Sequence, residues 1–172
     1  MRFPLALPLF ALLVLPLGAC KKKPAPRPGP GAQGVPATAS AELPELIKKY
    51  KAMSAAERTE AAKNGCYVSS ECKALETKAL FAAASGAEQA SLKAAARPVF
   101  ARQYEKELVD KGKKPDSVAA SGEDGTTLEV KGPPCNRFLL SNFMNDLGDR
   151  ARALGFKRVA CENKALKAKI DL

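Results

Sequence analysis

Across residues 42–112 apolar side chains recur every three or four positions, the period of helices with one buried side. Leu46, Ile47, Tyr50 and Met53 form the first stripe, and Pro44 suits the first turn of that helix, where its missing N–H goes unused. Ser54 followed by Glu57 is a capping box and predicts a second helix ending near Gly65. After a short loop at 66–70, Leu75, Ala79 and Leu80 predict a third helix, starting about Glu71 with Ser70 as its N-cap and ending at Gly86. Leu92, Ala96, Val99, Phe100, Tyr104 and Leu108 extend the pattern to Lys111, but Pro98 falls inside it. A proline within a helix removes one backbone hydrogen bond and crowds the preceding turn, so a break or kink is expected there.

The period then shortens. Val118 and Ala120 alternate with polar residues, as do Leu128 and Val130, with Gly122-Glu123-Asp124-Gly125 between them, so residues 116–132 predict a hairpin. Leu140, Phe143, Leu147, Ala151 and Leu154 return to helical spacing, and Gly155-Phe156 fits a glycine C-cap with its apolar contact. A second hairpin follows at 157–172 through Asn163-Lys164, with Val159, Cys161, Leu166, Ala168, Ile170 and Leu172 on its inner side. The fold expected is α+β: N-terminal helices, then helix–hairpin–helix–hairpin, giving a four-stranded, mainly antiparallel sheet with helices on one face.

The first twenty residues have another logic. Arg2, an apolar run to Leu17 and the small pair Gly18-Ala19 follow the order of a secretory signal peptide. The run is too short and too rich in proline for the roughly 20 apolar residues of a spanning helix. Leu17-Gly18-Ala19-Cys20 resembles the lipobox of bacterial lipoproteins. That resemblance implies cleavage before Cys20, diacylglyceryl transfer to its thiol and, usually, acylation of the new amino terminus. Two or more chains anchor a protein stably, at about 0.8 kcal/mol per buried methylene. In such lipoproteins Asp after the cysteine favours the inner membrane; Lys21 here implies the outer one. The organisation expected is a signal peptide at 1–19, lipidated Cys20 with a Pro/Gly/Ala-rich tether to residue 40, and one domain at 41–172, helical to 112 and sheet-containing beyond. The tether, extended at up to about 3.1 Å per residue, reaches on the order of 50 Å.

Charge changes the picture only after it is divided. The chain carries 28 Lys and Arg against 18 Asp and Glu, formally +10, yet half of that excess lies in Arg2, Lys21, Lys22, Lys23 and Arg27. The lysines beside the lipid suit anionic headgroups. On the outer side of the predicted sheet, Thr127, Glu129, Lys131, Arg158, Ala160, Glu162, Lys167, Lys169 and Asp171 nearly balance in charge and include no aromatic side chain on which a base could stack. No nucleic-acid partner is expected.

With Cys20 lipidated, Cys66, Cys72, Cys135 and Cys161 remain, an even number in a chain sent to an oxidising compartment. Cys66–Cys72 flanks a turn between helices, and Cys135–Cys161 would join a helix start to an inward strand position; these two disulfides are the favoured pairing of three. A zinc site would usually show two closely spaced Cys pairs, which this spacing lacks. No cofactor or metal is implied.

The sequence contains no histidine, which excludes Ser-His-Asp and Cys-His catalysis. Ser70-Glu71-Cys72-Lys73 matches the S-x-x-K nucleophile motif of penicillin-binding proteins and β-lactamases, but their S-D-N and K-T-G motifs do not occur. Glu123 and Asp124 lack the further acids of a calcium loop. From Arg97 to Leu172 the chain resembles, through Val130 to Gly132, ALGFKRV and the last strand, a small α+β module of exported bacterial proteins that brings no activity with it. The function expected is an envelope lipoprotein, its domain in the periplasm or at the cell surface, binding or scaffolding another envelope protein or the cell wall. The alternative is a cell-wall-directed hydrolase with a Ser70–Lys73 dyad.

Overall fold

A computed structural model describes residues 37–172; the expected signal peptide, Cys20 and the expected tether up to residue 36 lie outside the described residues. The first helix, α1 (Ala37–Ala52), begins within the stretch expected to be tether, so Pro44 sits in its interior rather than its first turn. Pro44 is exposed, and water can take the backbone carbonyl left without a partner. The capping box at Ser54 and Glu57 is present and opens α2 (Ala55–Lys63). Hydrogen bonds from the Ser54 backbone and hydroxyl hold the Glu57 carboxyl below its ordinary pKa.

The third helix, α3 (Ala74–Ala83), starts three residues later than its sequence suggests. Ser70 is therefore not its N-cap; Lys73 stands there, without a side-chain capping bond. The delay follows from how the preceding loop is held: the Cys66–Cys72 disulfide closes it, and hydrogen bonds from Gln103 and Arg150 fix its backbone outside a helix. The expected break at Pro98 is also absent. A single 25-residue helix, α4 (Gly86–Asp110), runs through it. Pro98 and Ala94, whose carbonyl loses its partner, both face solvent, while Leu92, Ala96, Val99, Phe100, Tyr104 and Leu108 are buried before and after the proline. Tertiary packing of that stripe outweighs the one missing bond.

Strands β1 (Ser117–Ser121) and β2 (Thr127–Lys131) form the first hairpin, pairing Val118 with Val130 and Ala120 with Leu128. Between them a 3-10 turn, Glu123–Gly125, places Asp124 at a positive φ of 54°. The chain then forms α5 (Arg137–Asp146) and α6 (Gly148–Ala153), which were expected as one helix. The axis breaks at Leu147, with φ −122° and Gly148 next to it, although bonds from Leu147 to Phe143 and from Ala151 to Leu147 bridge the break. Glycine's low helix propensity makes this the weak point of the run. Gly155, at φ 79°, ends α6 in a Schellman motif: its N–H bonds the Arg152 carbonyl and the Phe156 N–H bonds that of Ala151.

Strands β3 (Arg158–Glu162) and β4 (Lys167–Asp171) complete a sheet of order β1-β2-β3-β4. Both hairpins are antiparallel, and β2 runs parallel to β3 through the α5–α6 crossover. The inner face supplies Val118, Leu128, Val130, Val159 and Cys161 to the core. Against it Phe100 of α4 meets Phe156 at 5.5 Å and Phe143 of α5 at 6.4 Å. Helices α2 and α3 pack on α4, and α1 on α3, so they form an outer layer away from the sheet. On the sheet's other face no residue is buried, and Arg158–Asp171, Lys167–Glu162 and Lys131–Glu129 pair across or along the strands.

Among the described residues one charged side chain lies in the core. Arg97 is 7% exposed; its Nε donates to the Leu154 carbonyl at 3.0 Å and its Nη1 to that of Asp124. It thereby ties α4 both to the end of α6 and to the tip of the first hairpin. Burial lowers its pKa and the nearby Asp124 opposes that shift.

Two buried tyrosines make stability sensitive to base. Burial pushes the Tyr67 hydroxyl up to about 12, from an ordinary value of 10.0, and raises Tyr104 as well, with Glu107 and Asp146 adding to the latter. Above pH 10 the unfolded chain loses these protons while the folded chain keeps them, so the contribution is intact below pH 10 and is lost as pH rises toward 12. Denaturant midpoints are expected to be level from pH 7 to 9 and to fall beyond pH 10. Tyr67→Phe should flatten part of that fall.

Candidate functional site

The loop between α2 and α3 gathers the least ordinary chemistry of the domain. Three attachments hold its residues 65–73, one a covalent bond within the loop and two from side chains of distant helices. The first is the Cys66–Cys72 disulfide, with a Cα–Cα distance of 5.2 Å. The second is Gln103 of α4, whose Nε2 donates to the Gly65 carbonyl at 2.7 Å while its Oε1 accepts the Tyr67 N–H at 2.8 Å. The third is Arg150 of α6: its Nη1 approaches the carbonyls of Tyr67, Val68 and Ser69 at 3.3, 3.1 and 2.7 Å.

Tyr67 anchors the loop from below. Its ring is buried, its hydroxyl donates to the Ala62 carbonyl, and it lies so close to Gly65 that a Cβ there would come within 2.4 Å of the phenol oxygen. Only glycine fits at 65. Within the loop, the Cys72 N–H bonds the Ser69 carbonyl and the Ser69 hydroxyl accepts the Glu71 N–H, which leaves Ser70 at the exposed tip.

The loop is a wall between two open clefts. The polar one, about 790 Å³, is bordered by Ser69, Ser70, Gln103, Glu107, Asp146 and Arg150. Glu107 pairs through one oxygen with Lys111, while its other oxygen is buried without a hydrogen-bond partner. The second cleft, about 540 Å³, is more apolar: Tyr67, Phe81, Ala82 and the disulfide form its walls, with Lys78 and Lys93 at its edge.

The sequence motif Ser70–Lys73 does not assemble here. Ser70 borders the polar cleft, whereas Lys73 borders a different one, beside Glu42 and Glu45 of α1. A serine–lysine pair acts only when hydroxyl and amine are within hydrogen-bond reach, and no hydrogen bond joins them among the described residues. Glu123 and Asp124 occupy the exposed hairpin tip, and among the described residues no three cysteine, histidine or acidic side chains are grouped to hold a metal ion. Cys135 and Cys161 are joined within the core, at 0% and 1% exposure. Cys20 lies outside the described residues.

Gln103 and Arg150, which build the site, are not singled out by any motif. Each nevertheless falls in phase with an apolar stripe, Gln103 three residues after Phe100 and Arg150 three after Leu147. A polar side chain at a core-phase position is the signal that points to them. No known protein family, curated protein or solved structure matches this chain.

Proposed function

We propose that the protein is a lipid-anchored component of the bacterial envelope, held in the outer membrane through Cys20, whose α+β domain serves as a binding or scaffold module. The observation that carries this is the cysteine inventory: a lipobox-like Leu17-Gly18-Ala19-Cys20 accounts for one, and the remaining four close into two disulfides. Disulfides form and persist in exported proteins, so two unrelated features of the chain agree on the compartment. Among the described residues no helix is long and apolar enough to cross a membrane, which leaves anchoring to the lipid in this proposal. The clefts beside the 66–72 loop are the surfaces offered to a partner in the envelope or to the cell wall.

The test is made on the full chain expressed in a bacterium. Its mature amino-terminal peptide is expected to begin at a diacylated Cys20 and the protein to sediment with outer membranes; Cys20→Ala should remain unlipidated and leave that fraction. Recovery of an unmodified Cys20 from membrane-bound protein would sink the proposal. Crosslinking of the lipidated protein in its membrane then identifies the partner.

A further inference from the structure

We infer that Cys66–Cys72 is a thiol-exchange site for a protein dithiol, whereas Cys135–Cys161 is a permanent crosslink. The inference concerns the folded domain and does not depend on the lipid anchor.

The two disulfides differ in their access to an attacking thiolate. Cys135 and Cys161 are sealed in the core at 0% and 1% exposure. Cys66 is exposed and borders both clefts, and Cys72, at 9%, reaches the more apolar one. Exchange requires a thiolate to approach a disulfide sulfur, so access alone separates the pairs.

Charge favours the same site. Lys78, Lys93 and Arg150 border the cleft that Cys72 lines. The acid there, Asp149, already pairs with Arg152. Positive surroundings favour a thiolate over a thiol and so make Cys72 a better leaving group.

The loop is also built to survive the opening of its own bond. Gln103 grips both sides of Cys66, Arg150 holds three carbonyls between the cysteines, and Tyr67 is pinned to Ala62, all without using a sulfur atom. An opened pair therefore stays near its 5.2 Å Cα separation, within the range from which a disulfide re-forms. These six hydrogen bonds hold the loop independently of the sulfur–sulfur bond.

The step balances as ordinary exchange. A thiolate of the partner dithiol attacks the sulfur of Cys66, the more exposed residue of the pair, the Cys66–Cys72 bond breaks, and Cys72 leaves as thiolate. The partner's second thiolate then attacks its own sulfur in the mixed disulfide and releases Cys66. Both cysteines take protons from water; the partner is oxidised and the loop reduced by two electrons. An oxidised partner runs the same steps backwards.

The full chain in detergent is exposed to reduced thioredoxin as the probe dithiol, quenched with iodoacetamide at intervals and mapped by mass spectrometry. Cys66 and Cys72 are expected to be alkylated at least about tenfold faster than Cys135 and Cys161, with the far-ultraviolet circular dichroism unchanged and the bond restored by glutathione disulfide. In single variants, Cys72→Ser should capture glutathione on Cys66 faster than Cys66→Ser captures it on Cys72. The proposal is overturned if the two disulfides open at one rate, if opening 66–72 removes helical signal, or if the order of the two variants is reversed. Arg150→Ala supplies a further check: re-closure should slow, because the loop is then held only by Gln103 and Tyr67, and an unchanged rate would remove Arg150 from the site.

Discussion

Phe100→Ala is expected to destabilise the domain by about 3–5 kcal/mol, the range for emptying a large aromatic site in a core. Phe100 is 0% exposed and stands where three elements meet: its ring lies 6.5 Å from Tyr104 on its own helix, 6.4 Å from Phe143 on α5 and 5.5 Å from Phe156 just before β3. Alanine would leave a void that these rings cannot fill, since each is fixed by its own backbone. Urea unfolding should show a lower midpoint with little change in slope. The contrast is Phe138→Ala on α5: at 69% exposure Phe138 has little packing to lose, and its replacement is expected to stay within about 0.5 kcal/mol. Similar losses for the two phenylalanines would mean that the aromatic cluster is not the centre of the core.

Removing the Cys135–Cys161 bond by a paired change to alanine is expected to cost about 3.5 kcal/mol, against about 2–2.5 kcal/mol for the same treatment of Cys66–Cys72. The difference follows from the segments enclosed, 26 residues apart in one case and 6 in the other, because a longer loop gains more freedom in the unfolded chain when released. Native surroundings widen the gap. Cys135 and Cys161 lie inside the core, so their loss also removes buried contacts, whereas the 66–72 loop keeps its hold on Gln103 and Arg150. Chemical unfolding of the two double variants without reductant measures both values. If the short disulfide proved the costlier, the loop would depend on its bond more than its other attachments suggest.

Features that were legible in the sequence are those whose cause is local. The Ser54–Glu57 box, the Gly155–Phe156 helix stop and the alternation of both hairpins each act over a few residues, and each is present where its residues stand. The cysteine pairing was also legible, because it follows from placing these elements. The differences arise where distant parts decide. Pro98 leaves α4 unbroken because its flank of the helix faces water while the other flank is packed, and burial of a flank is not written in the proline itself. The start of α3 is delayed by the attachments of the preceding loop, its disulfide and its bonds to Gln103 and Arg150, and the parallel contact of β2 with β3 depends on how the crossover returns. At the site, Ser70 and Lys73 are three positions apart yet border different clefts, while Gln103 and Arg150 reach the loop across 36 to 83 positions of chain. Spacing along the chain decides proximity only inside a regular element, and residues 70–73 are not in one.

The parallel contact between β2 and β3 bears on the order in which the sheet forms. Each hairpin closes over a handful of residues, Ser121 meeting Thr127 and Glu162 meeting Lys167, whereas Thr127 must find Arg158 across the whole α5–α6 segment. Contacts between distant positions form late, because the chain loses closure entropy before the pairing returns anything. The two hairpins are thus expected to nucleate independently and the central seam to join last, so the folding rate of the domain should follow the stability of α5 and α6 more closely than that of either hairpin.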